Sequence, residues 1–115
     1  MQRRFRLTRS DDFVRVRRNG KSYTHPLVVL TVQAGSSPHT RVGVAAGKMI
    51  GSAVQRNRAK RLLREAIRSL MPSLPPGWDL ILISRAGLAS ASFEETRAAL
   101  ASLLRRAGLF STDGS

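Results

Sequence analysis

The residues with the most chemistry in this chain lie between Gln55 and Arg68, a stretch reading Gln-Arg-Asn-Arg-Ala-Lys-Arg-Leu-Leu-Arg-Glu-Ala-Ile-Arg, with six basic residues and one acid. On a helix turning about 100° per residue, Ala59, Leu62, Leu63, Ala66, Ile67 and Leu70 gather on one side and form a core stripe. Arg56, Lys60, Arg64 and Arg68 recur at every fourth position, Arg61 falls beside them, and Arg58 projects toward the flank. Asn57 lies within the same band, where its amide can donate to a phosphate or pair with a base edge. Like charges four residues apart repel by roughly a few tenths of a kcal/mol per pair, so this helix works against its own stability. Such a band implies a polyanionic partner. Two other readings compete with it. A solvated face would mix Glu with Lys, but Glu65 stands alone. A membrane-surface helix would want a broad apolar side with aromatic residues, and here that side is narrow, lacks Trp and Phe, and is needed by the core.

Just ahead of this stretch, Ala46-Gly47-Lys48-Met49-Ile50-Gly51-Ser52 leads glycines and exposed amides into a helix N-terminus, a generic phosphate-binding arrangement. A plain strand-to-helix turn accounts for the glycines equally well, and the spacing of a Walker A loop is absent. No hydrolytic constellation is visible. A protein nuclease needs clustered carboxylates for metal ions or a histidine pair for acid-base work. Here Asp11 and Asp12 open one helix, Glu94 and Glu95 open another, and Asp79 opens a strand. His25 and His39 sit beside prolines in turn-like contexts, with no second histidine at ligand spacing.

The elements that must position these residues follow from punctuation and patterning. Ser10 to Gly20 reads as a short helix, with Ser10 as cap, Asp11 and Asp12 at the positive end of the dipole, arginines at the negative end and Asn19-Gly20 as a left-handed stop. Leu27 to Val32 is a β-branched run, Gly35 to Pro38 a turn, and Arg41 to Ala46 a second strand, which predicts a hairpin between the two. The basic helix should run from about Ala53 to Leu70, before Pro72 and Pro75-Pro76-Gly77. Trp78 to Ser84 is nearly continuously apolar, as a mid-sheet strand would be, with Trp78 a core residue. Ser92 and Glu95 form a capping box for a last helix ending near Gly108, with Phe93, Leu100, Leu103, Leu104 and Ala107 as its core stripe.

At 115 residues, with 20 Lys and Arg against 7 Asp and Glu and a formal charge of +13, the chain suits one domain spanning 1–115 whose surface is made for a polyanion. Residues 1–7 read as a flexible basic arm and 109–115 as a flexible tail. No apolar run is long enough for a transmembrane helix or a secretory signal, so no membrane association and a cytoplasmic location are expected. The absence of cysteine fits a reducing compartment. Aromatic residues make up only 5%, so phosphate contacts must carry more of any single-strand affinity than base stacking does.

Taken together, Arg41-Val42-Gly43, Gly47-Lys48-Met49-Ile50-Gly51-Ser52-Ala53-Val54 and Arg56-Asn57-Arg58-Ala59-Lys60-Arg61-Leu62-Leu63-Arg64-Glu65 closely resemble the signature of the bacterial ribonuclease P protein family. Arg6-Leu7 and Asp12-Phe13 ahead of Gly20 look like its N-terminal pattern, and Asp79 to Arg85 with the final helix like its C-terminal part. The resemblance implies an α+β fold in α-β-β-β-α-β-α order, with a small mixed four-stranded sheet packed with helices and a left-handed β-α-β crossover, against the usual hand. It implies that the protein supports 5′ maturation of tRNA without supplying catalytic groups. Those would lie in an RNA subunit with bound Mg²⁺, and the protein alone would hold no cofactor and need no protein partner. Carried over, Lys48, Arg56, Asn57, Arg58, Lys60, Arg61, Arg64 and Arg68 face the catalytic RNA, and Phe13 faces the single-stranded 5′ leader of precursor tRNA. Two departures touch that leader cleft. Arg17 stands where the family often has a second aromatic, and Thr31 where it often has Tyr or Phe, so charge should replace stacking there. Gly47 and Met49 stand where Ser and Lys are common. Phe13, Arg17 and Thr31 are expected on a surface separate from the basic band. The other class of function compatible with this charge and size is a small ribosomal or RNA-chaperone protein, which would lack a leader cleft.

Overall fold

A computed structural model describes residues 3–110, the side chains of Arg3 and Lys48 excepted. Three helices, α1 (Ser10–Asn19), α2 (Ala53–Leu70) and α3 (Phe93–Arg106), pack on four strands, β1 (Lys21–Thr24), β2 (Val28–Ala34), β3 (Arg41–Ala46) and β4 (Trp78–Ser84). The fold is α+β, in the α-β-β-β-α-β-α order. The strands lie side by side as β1-β2-β4-β3, antiparallel except for the parallel β3–β4 pair that α2 connects.

The apolar run of β4 explains its central place. Leu80 and Leu82 bury against α2 and α3 on one face, and Ile81 on the other joins Leu7 and Val16 in a smaller cluster under α1. A strand apolar on both faces has to be flanked on both edges and covered on both sides. That requirement overturns the predicted hairpin, because β4 inserts between β2 and β3, and those two do not pair. The turn after β2 instead crosses the start of β4, where the Gly35 amide donates to Gly77 O and the Thr40 hydroxyl to Pro75 O.

Local signals held at α2, whose bounds match the reading, and at α3, where Ser92 and Glu95 form the capping box. Gly108, at φ +78°, ends α3 with the paired Gly108-to-Arg105 and Leu109-to-Leu104 hydrogen bonds of a Schellman turn. Other signals did not hold. Arg9 occupies the cap position of α1, without a side-chain cap, and Ser10 is already helical. Gly20 is extended, not left-handed, at φ −80°. Its reason is close approach: a Cβ there would meet Val16 O at 2.5 Å and Val32 O at 2.7 Å. Phe93, expected in the core stripe of α3, is exposed on its first turn, while Trp78 packs against the core as read. The supposed N-terminal arm is pinned at its end: Leu7 is buried and its amide donates to Val42 O on β3. Leu109 likewise belongs to the core, and residues 1–2 and 111–115 lie outside the described residues.

Candidate nucleic-acid interface

The N-terminus of α2 is built by a second capping box, Ser52-x-x-Gln55, which the sequence reading missed. The Ser52 hydroxyl accepts from the Gln55 amide, and the Gln55 side chain accepts from the Ser52 amide at 2.9 Å. Gly51 is needed for it. Its φ is +126°, and a Cβ would fall 1.9 Å from Gln55 Oε1. With the helix so anchored, Ala59, Leu62, Leu63, Ala66, Ile67 and Leu70 all bury, as their spacing requires.

The opposite side carries the basic band. Arg61, Arg64 and Arg68 are exposed and Lys60 is half-buried, and together with Asn57 and Glu65 they line a shallow depression along the helix. Among the described residues, no cation of α2 reaches a carboxylate at ion-pairing distance. Two members are engaged inside the protein. Arg56 donates to Gly51 O, and Arg58 donates to Ala89 O at 2.7 Å and Ala91 O at 3.4 Å, tying α2 to the 3-10 turn Ala86–Ser90 ahead of α3. Lys48 starts the 3-10 turn Lys48–Ile50 before α2, and its side chain lies outside the described residues.

Phe13 sits on the other side of β3. Its ring lies so close over Gly43 that a Cβ there would meet the ring at 2.4 Å, and it packs against the Leu7, Val16 and Ile81 cluster. Arg6, Leu7, Thr8, Phe13, Val42, Gly43, Val44 and Arg64 enclose a groove of about 190 Å³ along the β3 edge. Neither Arg17 nor Thr31 joins it. Arg17, one helical turn after Phe13, is exposed and is not among the residues that line the groove. Thr31 is 3% exposed and its hydroxyl is hydrogen-bonded with that of Ser22, so it offers a ligand nothing in this conformation. The expected separation of the two surfaces also fails at one residue: Arg64 lines both the groove and the depression on α2.

Between α1 and the sheet lies a charged network that the residue pattern did not disclose. Asp79 is fully buried and receives hydrogen bonds from Arg41 Nε and an Arg41 terminal nitrogen, each 3.0 Å, and from Arg15, which also donates to Gln33 and Asp12. Burial pushes the Asp79 carboxyl up, but the hydrogen bonds and charges of Arg41 and Arg15 outweigh it and hold it below the usual aspartate range. The same bonds to Asp79 raise both guanidinium groups. The available signal was a lone acid inside an otherwise apolar strand. Among the described residues, no three His, Asp or Glu side chains stand close enough to hold a metal ion, and no helix is long and apolar enough to cross a membrane.

A family model described as Ribonuclease P matches residues 1–108. The chain is 44% identical over 110 residues to the ribonuclease P protein component of Herpetosiphon aurantiacus, covering 96% of this chain and 89% of that protein. Among solved structures, the RNase P protein of Staphylococcus aureus superposes with a TM-score of 0.83 at 26% identity, covering 93% of this chain and 98% of that one. The RNase P protein of Thermotoga maritima superposes with a TM-score of 0.78 at 30% identity, covering 88% and 96%.

Proposed function

Because the chain belongs to the ribonuclease P protein family, and so to a subunit of an endoribonuclease that processes tRNA, we propose a division of labour between its surfaces. The basic band of α2 binds the catalytic RNA, and the Phe13 groove receives the single-stranded 5′ leader of precursor tRNA. The observation that carries this reading is the pairing of a band whose cations, Lys60, Arg61, Arg64 and Arg68, reach no carboxylate at ion-pairing distance among the described residues with an aromatic-floored groove that shares Arg64. The cations of such a band displace counterions condensed on RNA phosphates, so affinity should fall steeply with salt. In the groove, the Phe13 ring offers a stacking surface and Arg6 and Arg64 offer charge to the adjacent backbone. Arg58 enters as a contributor to the shape of the band, since its guanidinium already holds two backbone carbonyls.

Catalysis is assigned to the RNA subunit and its Mg²⁺, with the protein screening phosphate repulsion so that the RNA folds and binds metal more readily. The protein is assigned to the cytoplasm, where precursor tRNA is made. Reconstitution with a bacterial ribonuclease P RNA tests the reading. The protein alone should cleave nothing, and its addition should raise affinity for precursor tRNA more than for mature tRNA. Cleavage by the RNA-free protein, or equal affinity gains for both ligands, would overturn it. Cosedimentation with ribosomal subunits and unchanged tRNA processing would favour the ribosomal or chaperone reading instead.

A further inference from the structure

On the edge of the sheet opposite the Phe13 groove, β1 is paired only with β2, and the C-terminal turn of α3 packs beside it. Tyr23 of β1 is half-buried there. Lys21 Nζ and the Arg106 guanidinium each lie 5.9 Å from its ring centroid, and Arg106 also donates to Thr24 O at 2.8 Å. Next to it, the Arg105 guanidinium lies 5.5 Å from the centroid of the half-buried Phe110 ring. Two partly open rings and three cations therefore lie along β1 and the C-terminal end of α3.

The helix dipole accounts for some of this, because cations are favoured in a last turn. It does not account for Lys21, which comes from a strand, or for the two rings. Nor is the charge answered among the described residues. Among the described residues none of the three cations reaches a carboxylate; Asp12 and Asp79 are held by Arg15 and Arg41, and Glu94 and Glu95 lie at the other end of α3. The contacts near 6 Å are at the outer limit of cation–π attraction, so the rings are charged surroundings more than sealed faces.

We propose that Lys21, Tyr23, Arg105, Arg106 and Phe110 form a second RNA-contact site, which takes a single-stranded segment by phosphate contacts to the three cations and by base contact with the two rings. It rests on the RNA-binding reading and extends it to an edge that neither the α2 band nor the groove reaches. An RNA held at both edges is wrapped around the sheet rather than docked on one side of it.

Binding of a fluorescent oligouridylate and of ribonuclease P RNA, measured across a salt series, tests the site. A Lys21→Gln, Arg105→Gln, Arg106→Gln variant should lower the slope of log K against log salt by about 2, at roughly 0.7 per phosphate contact on a single strand. Tyr23→Leu with Phe110→Leu keeps apolar packing, and should weaken oligouridylate binding roughly thirtyfold or more, at the usual worth of one stacked base per ring, while leaving the slope unchanged. A third variant, Arg61→Gln with Arg64→Gln and Arg68→Gln, separates the two hypotheses. If it lowers the slope while the β1-edge variants, folded by circular dichroism, bind as wild type, the second site is wrong. If it too leaves the slope unchanged, the RNA-binding reading itself fails and the site falls with it.

Discussion

The arginines of α1 and β3 and those of α2 look alike as letters and do opposite things. Arg15 and Arg41 close on a fully buried Asp79 and a partly buried Asp12. Arg61, Arg64 and Arg68 face solvent, and among the described residues none of them reaches a carboxylate at ion-pairing distance. The first set holds α1 to the sheet and so sets the floor of the groove. The second leaves its charge for a partner. Net charge alone cannot make this distinction, because what matters is whether an acid is folded against the base.

The largest effect that would break this contrast is on RNA binding. Reversing Arg61, Arg64 and Arg68 to Glu should cost several kcal/mol of affinity for the catalytic RNA and lower the salt slope by at least about 2. Its effect on stability should stay within roughly 1 kcal/mol, since these positions are exposed. Titrations at several salt concentrations, with a denaturant melt in parallel, measure both; an unchanged slope in a folded variant would make α2 an ordinary solvated face.

The opposite result is expected for Asp79→Ala, which leaves two guanidinium groups without their acceptor and should cost roughly 3 kcal/mol of stability. Its pH dependence has a defined sign. Because the folded carboxyl is held below its ordinary value, its contribution is present above about pH 4, the usual aspartate range, and is lost as pH falls through the lower folded value. Wild-type stability should therefore decline in that acid window more than that of Asp79→Asn, as followed by urea unfolding between pH 2 and pH 6.

A smaller effect sharpens the line between groove and band. Phe13→Ala should cost about 1–3 kcal/mol of precursor tRNA affinity, the usual worth of one stacked base, and much less for mature tRNA. Equal losses for both would make the ring purely structural, a live issue because Phe13 also packs on Gly43. The smallest effect expected is that of Ser52→Ala, about 1 kcal/mol of stability from the lost cap, with the salt slope of RNA binding unchanged. A changed slope would mean that the helix N-terminus itself meets the RNA.

What the chain determined by itself is local and periodic. The span of α2, its six buried apolar positions, the capping box of α3 and the central place of β4 follow from spacing and punctuation within a few turns, where the physics is short-ranged. The family resemblance was likewise legible, because it resides in contiguous residues. Tertiary structure decided which elements became neighbours. The sheet order put β4 between β2 and β3 because a strand apolar on both faces needs flanking on both edges. That placement brought Asp79 under Arg15 and Arg41, residues 64 and 38 positions away, and set Gly20 against β2 and Gly43 against the ring of Phe13. It also turned Thr31 inward and Arg17 outward, and set Arg64 between groove and band. Each of these depends on distances across the fold, and no spacing along the chain encodes them.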